Sequence, residues 1–224
     1  MALNDQKHYE DEDYDVIIKK KGNTIWYKNG KRHRIGEPAF IHWDGSKQWY
    51  QHGKLHRKDG PAIIWSYGCK EWYQNGKLHC EDGPAIIWAN GCKEWYQNGK
   101  RHRIGGPSSE NIYYKHWYQN GKRHRVDGPA IILANGIKQW YTNDQKHRED
   151  GPAFVNPNNK IKLWYYENKE YTQKEYNKLL KRKKDLARWV YQRWYSDFMR
   201  NPYTERGKKY IRKDYHRLMN NIKK

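Results

Sequence analysis

Six histidines stand at one position of a recurring motif: His33, His56, His79, His102, His124 and His147. An arginine follows five of them, at Arg34, Arg57, Arg103, Arg125 and Arg148, and Cys80 follows the remaining one, His79. Four copies add an acid, Asp59, Asp82, Asp127 and Asp150, ahead of Gly-Pro-Ala. Such side chains can ligate metal, move protons or bind phosphate. Metal fails on spacing. Equivalent residues of a hairpin array recur every ~10 Å, two strands apart, whereas zinc needs its nitrogen ligands ~2.0–2.1 Å from the ion. Only His52 and His56 lie close in sequence, so no metal site is expected.

Acid–base catalysis fares no better, because it would place the same reaction centre in every copy. The chain has no serine elbow, no Cys-x-x-Cys and no phosphate-binding Gly-x-x-x-x-Gly-Lys loop. The expectation is a protein that is not an enzyme, with no cofactor and no small-molecule substrate. The histidines are expected to pack beside a chain corner and to bond to backbone or to the Asp of Asp-Gly-Pro. The arginines have long stems that can leave their charge in solvent. A ladder of Arg34, Arg57, Arg103, Arg125 and Arg148 could follow an acidic surface or a phosphate backbone.

What positions these residues is a period. Trp26, Trp49, Trp72, Trp95, Trp117, Trp140 and Trp164 are separated by 23, 23, 23, 22, 23 and 24 residues. A fixed period of this size marks a repeat array. Each Trp-Tyr is followed by a turn pair, Asn-Gly at 29–30, 75–76, 98–99 and 120–121, His52-Gly53 and Asn143-Asp144. Asn-Gly favours positive φ at both positions and makes a tight type I′ hairpin. A second turn, such as Asn90-Gly91 or Asn135-Gly136, returns the chain to the next Trp. Frequent Gly and Pro exclude helix from this region.

A lone hairpin is marginal in water, so copies must stack. The seven tryptophans are predicted to form the repeat core, with Trp49, Trp72, Trp95 and Trp117 central. Pairs such as Ile63-Ile64 and Ile86-Ile87 would join them in a continuous ladder. The fourth unit departs, since Ser108-Ser109-Glu110 replaces Ala and the branched pair. A bend or an altered surface is expected there. Residues 1–25 carry the dense acidic run and read as a cap or degenerate half-repeat.

The string Trp-Tyr-Gln-Asn-Gly-Lys at 72–77, with an Asp-Gly corner and a second Gly turn, resembles the MORN family of β-hairpin repeats. The extensions HRKDGPA at 56–62, HRVDGPA at 124–130 and HREDGPA at 147–153 resemble a subtype found in giant DNA viruses and large phages. The resemblance covers residues 26–166, six repeats, and implies an elongated sheet acting as an interaction or assembly scaffold, with a virion or virus-factory setting.

After Tyr166 the pattern changes. Thr172-Gln-Lys-Glu175 is a capping box, and Leu179, Leu186, Val190, Trp194 and Phe198 recur at helical spacing. Helices are predicted over about 173–200 and 207–221 within an appendage at 167–224. Residues 174–224 hold 17 basic and 5 acidic side chains, contributing +12 of the net +20. Their candidate contacts for phosphate or acidic partners are Lys181, Arg182, Lys183, Lys184, Arg188, Arg193, Lys208, Lys209, Arg212 and Lys213.

The fold class is therefore an all-β repeat array, an antiparallel meander of stacked hairpins, with a basic C-terminal helical segment. Function reads as a non-catalytic scaffold anchored by the tail, or as a sequence-nonspecific nucleic-acid-binding or genome-condensing protein. The partners are an acidic protein surface or further copies first, then DNA or RNA backbone, then anionic membrane contacted peripherally. Three cysteines give no disulfide framework. With neither a signal-like stretch nor a run of ~20 apolar residues, an intracellular reducing compartment is expected: virion, host cytoplasm or nucleus if viral.

Overall fold

The structure, a computed structural model, describes residues 7–11, 14–19 and 22–200, with side chains from 22 to 196. The predicted helix over 207–221, and with it Lys208, Lys209, Arg212 and Lys213, lies outside the described residues.

The turns decide the architecture. Positive φ occurs at both positions of the first turn, as at Asn75 (50°) and Gly76 (79°), and Asn143 (52°) and Asp144 (67°). That is the type I′ geometry expected from Asn-Gly. The second turn uses positive φ at glycine alone, as at Gly45, Gly68, Gly91 and Gly136. There the preceding Asp or Asn side chain accepts a backbone N–H two residues on, as Asp44 does from Ser46 and Asn135 from Ile137.

Between second turns runs one antiparallel meander. Asn23–Lys28 pairs with Phe40–Ile41, and the ladder continues through Lys47–Gln48, Ile63–Ile64, Lys70–Glu71, Ile86–Ile87 and onward to Ile161–Tyr166. Lys7–Asp11 and Tyr14–Lys19 add two strands at the near end. Beside this wall, each copy folds a small hairpin, such as Tyr73–Gln74 with Lys77–Leu78. The array is elongated because every unit contacts only its neighbours.

Directly opposed residues share a face. One row reads Ile25, Phe40, Gln48, Ile63, Glu71, Ile86, Glu94, Ser109, His116, Ile131, Gln139 and Phe154. Ile25, Ile63, Ile86, Glu94 and Ser109 are buried in it. The polar members are bonded: Glu71 accepts from Trp65 Nε1 at 2.6 Å and Tyr73 OH at 3.0 Å, and Glu94 accepts from Tyr96 OH and Arg101. Only the first isoleucine of each pair is therefore core. Ile64 and Ile87 lie on the opposite, half-buried face.

The tightest position is smaller than expected. Ala39, Ala62, Ala85, Ser108, Ala130 and Ala153 are completely buried. The carbonyl of each accepts the backbone N–H of the Trp thirteen residues earlier at 2.8 Å, from Trp26 N–H to Ala39 through Trp140 N–H to Ala153. The tryptophans predicted as central core need correcting in degree. Trp49 is buried, whereas Trp26, Trp72, Trp95, Trp117, Trp140 and Trp164 are half-buried.

Unit four carries the ladder through unbroken, Glu94 opposing Ser109 and Ser109 opposing His116. Serines fit because Tyr114 and His116 stack beside them, with ring centroids 4.4 Å apart, and Ser109 reaches Tyr114 OH. At the far end the helix Gln173–Arg200 begins on the predicted capping box: Thr172 N–H donates to Glu175, and Glu175 N–H to Thr172 Oγ1. Tyr176, 1% exposed, plugs this helix against the last repeat, and Lys183 binds Tyr166 OH. The predicted stripe does not dock as a whole, because Leu186 and Val190 are exposed. Replacing Ala85 by Leu should cost about 1–3 kcal/mol in chemical denaturation, the usual overpacking penalty; a neutral result would mean that the Ala column is not the close-packed axis.

Candidate functional site

The five stripe arginines are all engaged in the same way. The guanidinium carbons of Arg34, Arg57, Arg103, Arg125 and Arg148 lie over Trp26, Trp49, Trp95, Trp117 and Trp140 at 4.2, 4.0, 3.8, 4.1 and 4.1 Å from the ring centroids. Each also donates through NH1 to the carbonyl of Pro38, Pro61, Pro107, Pro129 or Pro152, four residues on. In four of the five slots a glycine precedes the proline and leaves the guanidinium room; in the first, Glu37 precedes Pro38 and Arg34 stacks on Trp26 all the same. A Cβ on Gly106, Gly128 or Gly151 would stand 2.9–3.0 Å from the guanidinium carbon of its arginine. Where glycine stands before proline, it gives the guanidinium space over the indole.

These arginines therefore cover the outer faces of the tryptophans, which is why the rings need no second layer. Pairing with the corner aspartate is the exception: Arg148 meets Asp150 at 2.6 Å, and Arg103 reaches Glu110 at 3.8 Å. One slot lacks its cation. In the copy of Trp72 the arginine position is held by Cys80, and a Cβ on Gly83 would stand 3.8 Å from its sulfur.

Of the two partners expected for the histidines, backbone or the Asp of Asp-Gly-Pro, the structure shows backbone. Each Nδ1 accepts a backbone N–H from the hairpin turn of the next copy: His33 from His52, His56 from Asn75, His79 from Asn98, His102 from Asn120, His124 from Asn143 and His147 from Glu167, at 3.1–3.3 Å. The reason is topological. Turn glycines already lean on the preceding copy, Gly76 N–H donating to Leu55 carbonyl and Gly99 N–H to Leu78 carbonyl, which brings the turn above the earlier His. Among the described residues, no group of three or more His, Cys, Asp or Glu is placed to hold a metal ion.

On the array itself, the regular cations left in solvent are lysines outside the arginine stripe. Lys47, Lys70, Lys93, Lys115, Lys138 and Lys162 are all exposed. They lie in one row, on the wall face opposite the buried row, alternating with Ile41, Ile64, Ile87, Glu110, Ile132 and Val155. Among the described residues none of the six makes a side-chain hydrogen bond or ion pair. Their signal was legible: each stands two residues before a repeat-opening Trp. A second exposed row, Lys31, Lys54, Lys77, Lys100 and Lys122, flanks the hairpin turns, the stems of the first four lying beside the next turn glycine at Gly53, Gly76, Gly99 and Gly121.

On the helix, Lys181, Arg182, Lys184, Arg188 and Arg193 are exposed, as is most of Lys183. Lys184 and Lys162 border a cleft with Glu149, Asp150, Trp164 and Tyr176. Burial, with Asp150 and Glu149 nearby, pushes the Tyr176 hydroxyl up to about 12. No described helix is long and apolar enough to cross a membrane. Cys69, Cys80 and Cys92 are free thiols.

No family model matches this chain, and no curated protein matches it. Fold and site together define a hairpin-repeat array of about 23-residue period, with a basic helix at one end.

Two outcomes follow from the slots and the histidines. Cys80→Arg should place a guanidinium over Trp72 and stabilise the protein by about 0.5–2 kcal/mol, the range for a cation over an indole, read by denaturant midpoint; destabilisation would show that this third slot is shaped differently. Burial, then His52 and Lys28, lower the His33 pKa below the usual 6.5, and burial, then Arg101 and Arg123, lower that of His116. The unfolded chain therefore takes up these protons first, so the stability they contribute is whole above pH 6.5 and declines as pH falls below it. The thermal midpoint should drop below that pH, and drop less steeply in the His33→Asn/His116→Asn variant; equal slopes would place the acid sensitivity elsewhere.

Proposed function

We propose that the protein is a non-catalytic structural scaffold, a stiff repeat array attached to an acidic partner through its basic C-terminal helix. One observation carries the reading. In copy after copy, the groups capable of chemistry are spent on the same internal bonds: histidine on the next turn, arginine on indole and proline carbonyl. Groups used identically in every unit build a rod. They do not form one reaction centre.

The helix suits attachment because its cations project from the end of the array, beyond the docked Tyr176. The MORN-like grammar and the His-Arg-x-Asp-Gly-Pro-Ala extension favour an assembly role, in a virion or virus factory, and free thiols suit an intracellular reducing compartment. A second reading, nonspecific binding or condensation of nucleic acid, is favoured by the unpaired wall lysines and the net charge of +20, since phosphate contacts need no base readout.

The attachment is tested with polyglutamate as an acidic-surface probe. The Lys181→Gln/Arg182→Gln/Lys183→Gln/Lys184→Gln variant should weaken salt-sensitive binding at least tenfold. Unchanged binding with the fold intact would remove the helix as the anchor.

A further inference from the structure

We infer that the wall lysines form a docking track for the sugar-phosphate backbone of a nucleic acid. The inference deepens the second reading above, and it moves the contact from the tail and the arginine stripe to the sheet itself. Three features carry it. First, Lys47, Lys70, Lys93, Lys115, Lys138 and Lys162 are in single file, held at constant spacing by the paired strands beneath them. Two strands per copy set that spacing at ~10 Å, so the file runs about 50 Å, the length of roughly 15 base pairs.

Second, among the described residues no internal partner competes for these ammonium groups. The acidic member of the row, Glu110, leans toward Arg103. The stripe arginines differ, being stacked on indole and bonded to proline carbonyl; pulling one outward would strip a Trp of its cover. Third, the residues between the lysines are short of an apolar wedge. Ile41, Ile64, Ile87, Ile132 and Val155 are half-buried, so between the lysines the face offers a line of charge to a linear polyanion; the exposed Trp43, Ile112 and Tyr113 sit at the second turns, outside the lysine file. Like charge along the whole row also opposes face-to-face pairing of two copies. The hairpin row is the poorer track, interrupted by Gln145 and seated beside turns.

The test compares full-length protein with two variants of equal charge loss: Lys70→Gln/Lys93→Gln/Lys115→Gln/Lys138→Gln on the wall, and Lys54→Gln/Lys77→Gln/Lys100→Gln/Lys122→Gln at the hairpins. Binding to a 20-base-pair DNA duplex and an RNA duplex of unrelated sequence is measured across a salt series, with circular dichroism and thermal midpoint confirming the fold. Each phosphate neutralised contributes about −0.9 to the slope of log affinity against log salt, so the wall variant, with four lysines removed, should be shallower by about 3.6 and bind at least tenfold more weakly. The hairpin variant should lose less than half of that. If the unaltered protein binds neither duplex at low salt, the nucleic-acid reading and the track fall together. If it binds and the wall variant matches it, or the hairpin variant loses as much, the track alone is overturned. Wall-lysine-dependent binding to phosphatidylserine vesicles, without duplex binding, would overturn it in favour of a membrane.

Discussion

The hydrogen bond from each repeat-opening Trp N–H to the carbonyl of a buried Ala or Ser is the constraint on which the array depends. It is 2.8 Å in all six copies, and it crosses from one hairpin to the next. A strand pair alone leaves donors and acceptors along both edges; here each edge is answered by the neighbouring copy. Close approach of the two backbones requires a small side chain at the accepting residue. That is why the column is Ala39, Ala62, Ala85, Ser108, Ala130 and Ala153, with exposure of zero throughout.

From that approach the arginine slots follow. The indole projects beside the corner, where a chain lacking Cβ at glycine leaves room for a planar cation. Guanidinium is suited to the place, since it stacks on a ring while a nitrogen still donates in its own plane. The histidines complete the coupling from the other side. An unprotonated Nδ1 accepts the N–H of the next turn, so the tautomer carrying its proton on Nε2 is the one that holds neighbouring units together. Residues resembling reactive groups are thus the fasteners of a one-dimensional solid.

Electrostatics then divides the cations into two populations. Arginines are drawn onto aromatic faces, which partly desolvate them and limit what they can offer a partner. Lysines carry a compact, strongly hydrated charge on a flexible stem, and on the wall they remain in solvent. Their regularity is borrowed from the backbone, because strand spacing and alternation repeat without any contribution from the side chains. The helix adds a further group of exposed cations at the end that Tyr176 secures.

Much of this was legible in the sequence. The Trp spacing, the Asn-Gly pairs and the Thr172–Glu175 box are local signals, and local signals survive without knowledge of neighbours: period, turn type and helix start all depend on residues a few positions apart. Which isoleucine of a pair faces inward depends on register, and register belongs to the pairing of distant strands. The histidine partners lie 18 to 20 residues away, and the arginine's commitment to indole needs the corner to fold back over Trp. The sequence by itself determined a hairpin array with a basic helix. Only the tertiary structure decided which cations are bound within it and which face water, because that choice is made by contacts between copies and not within one.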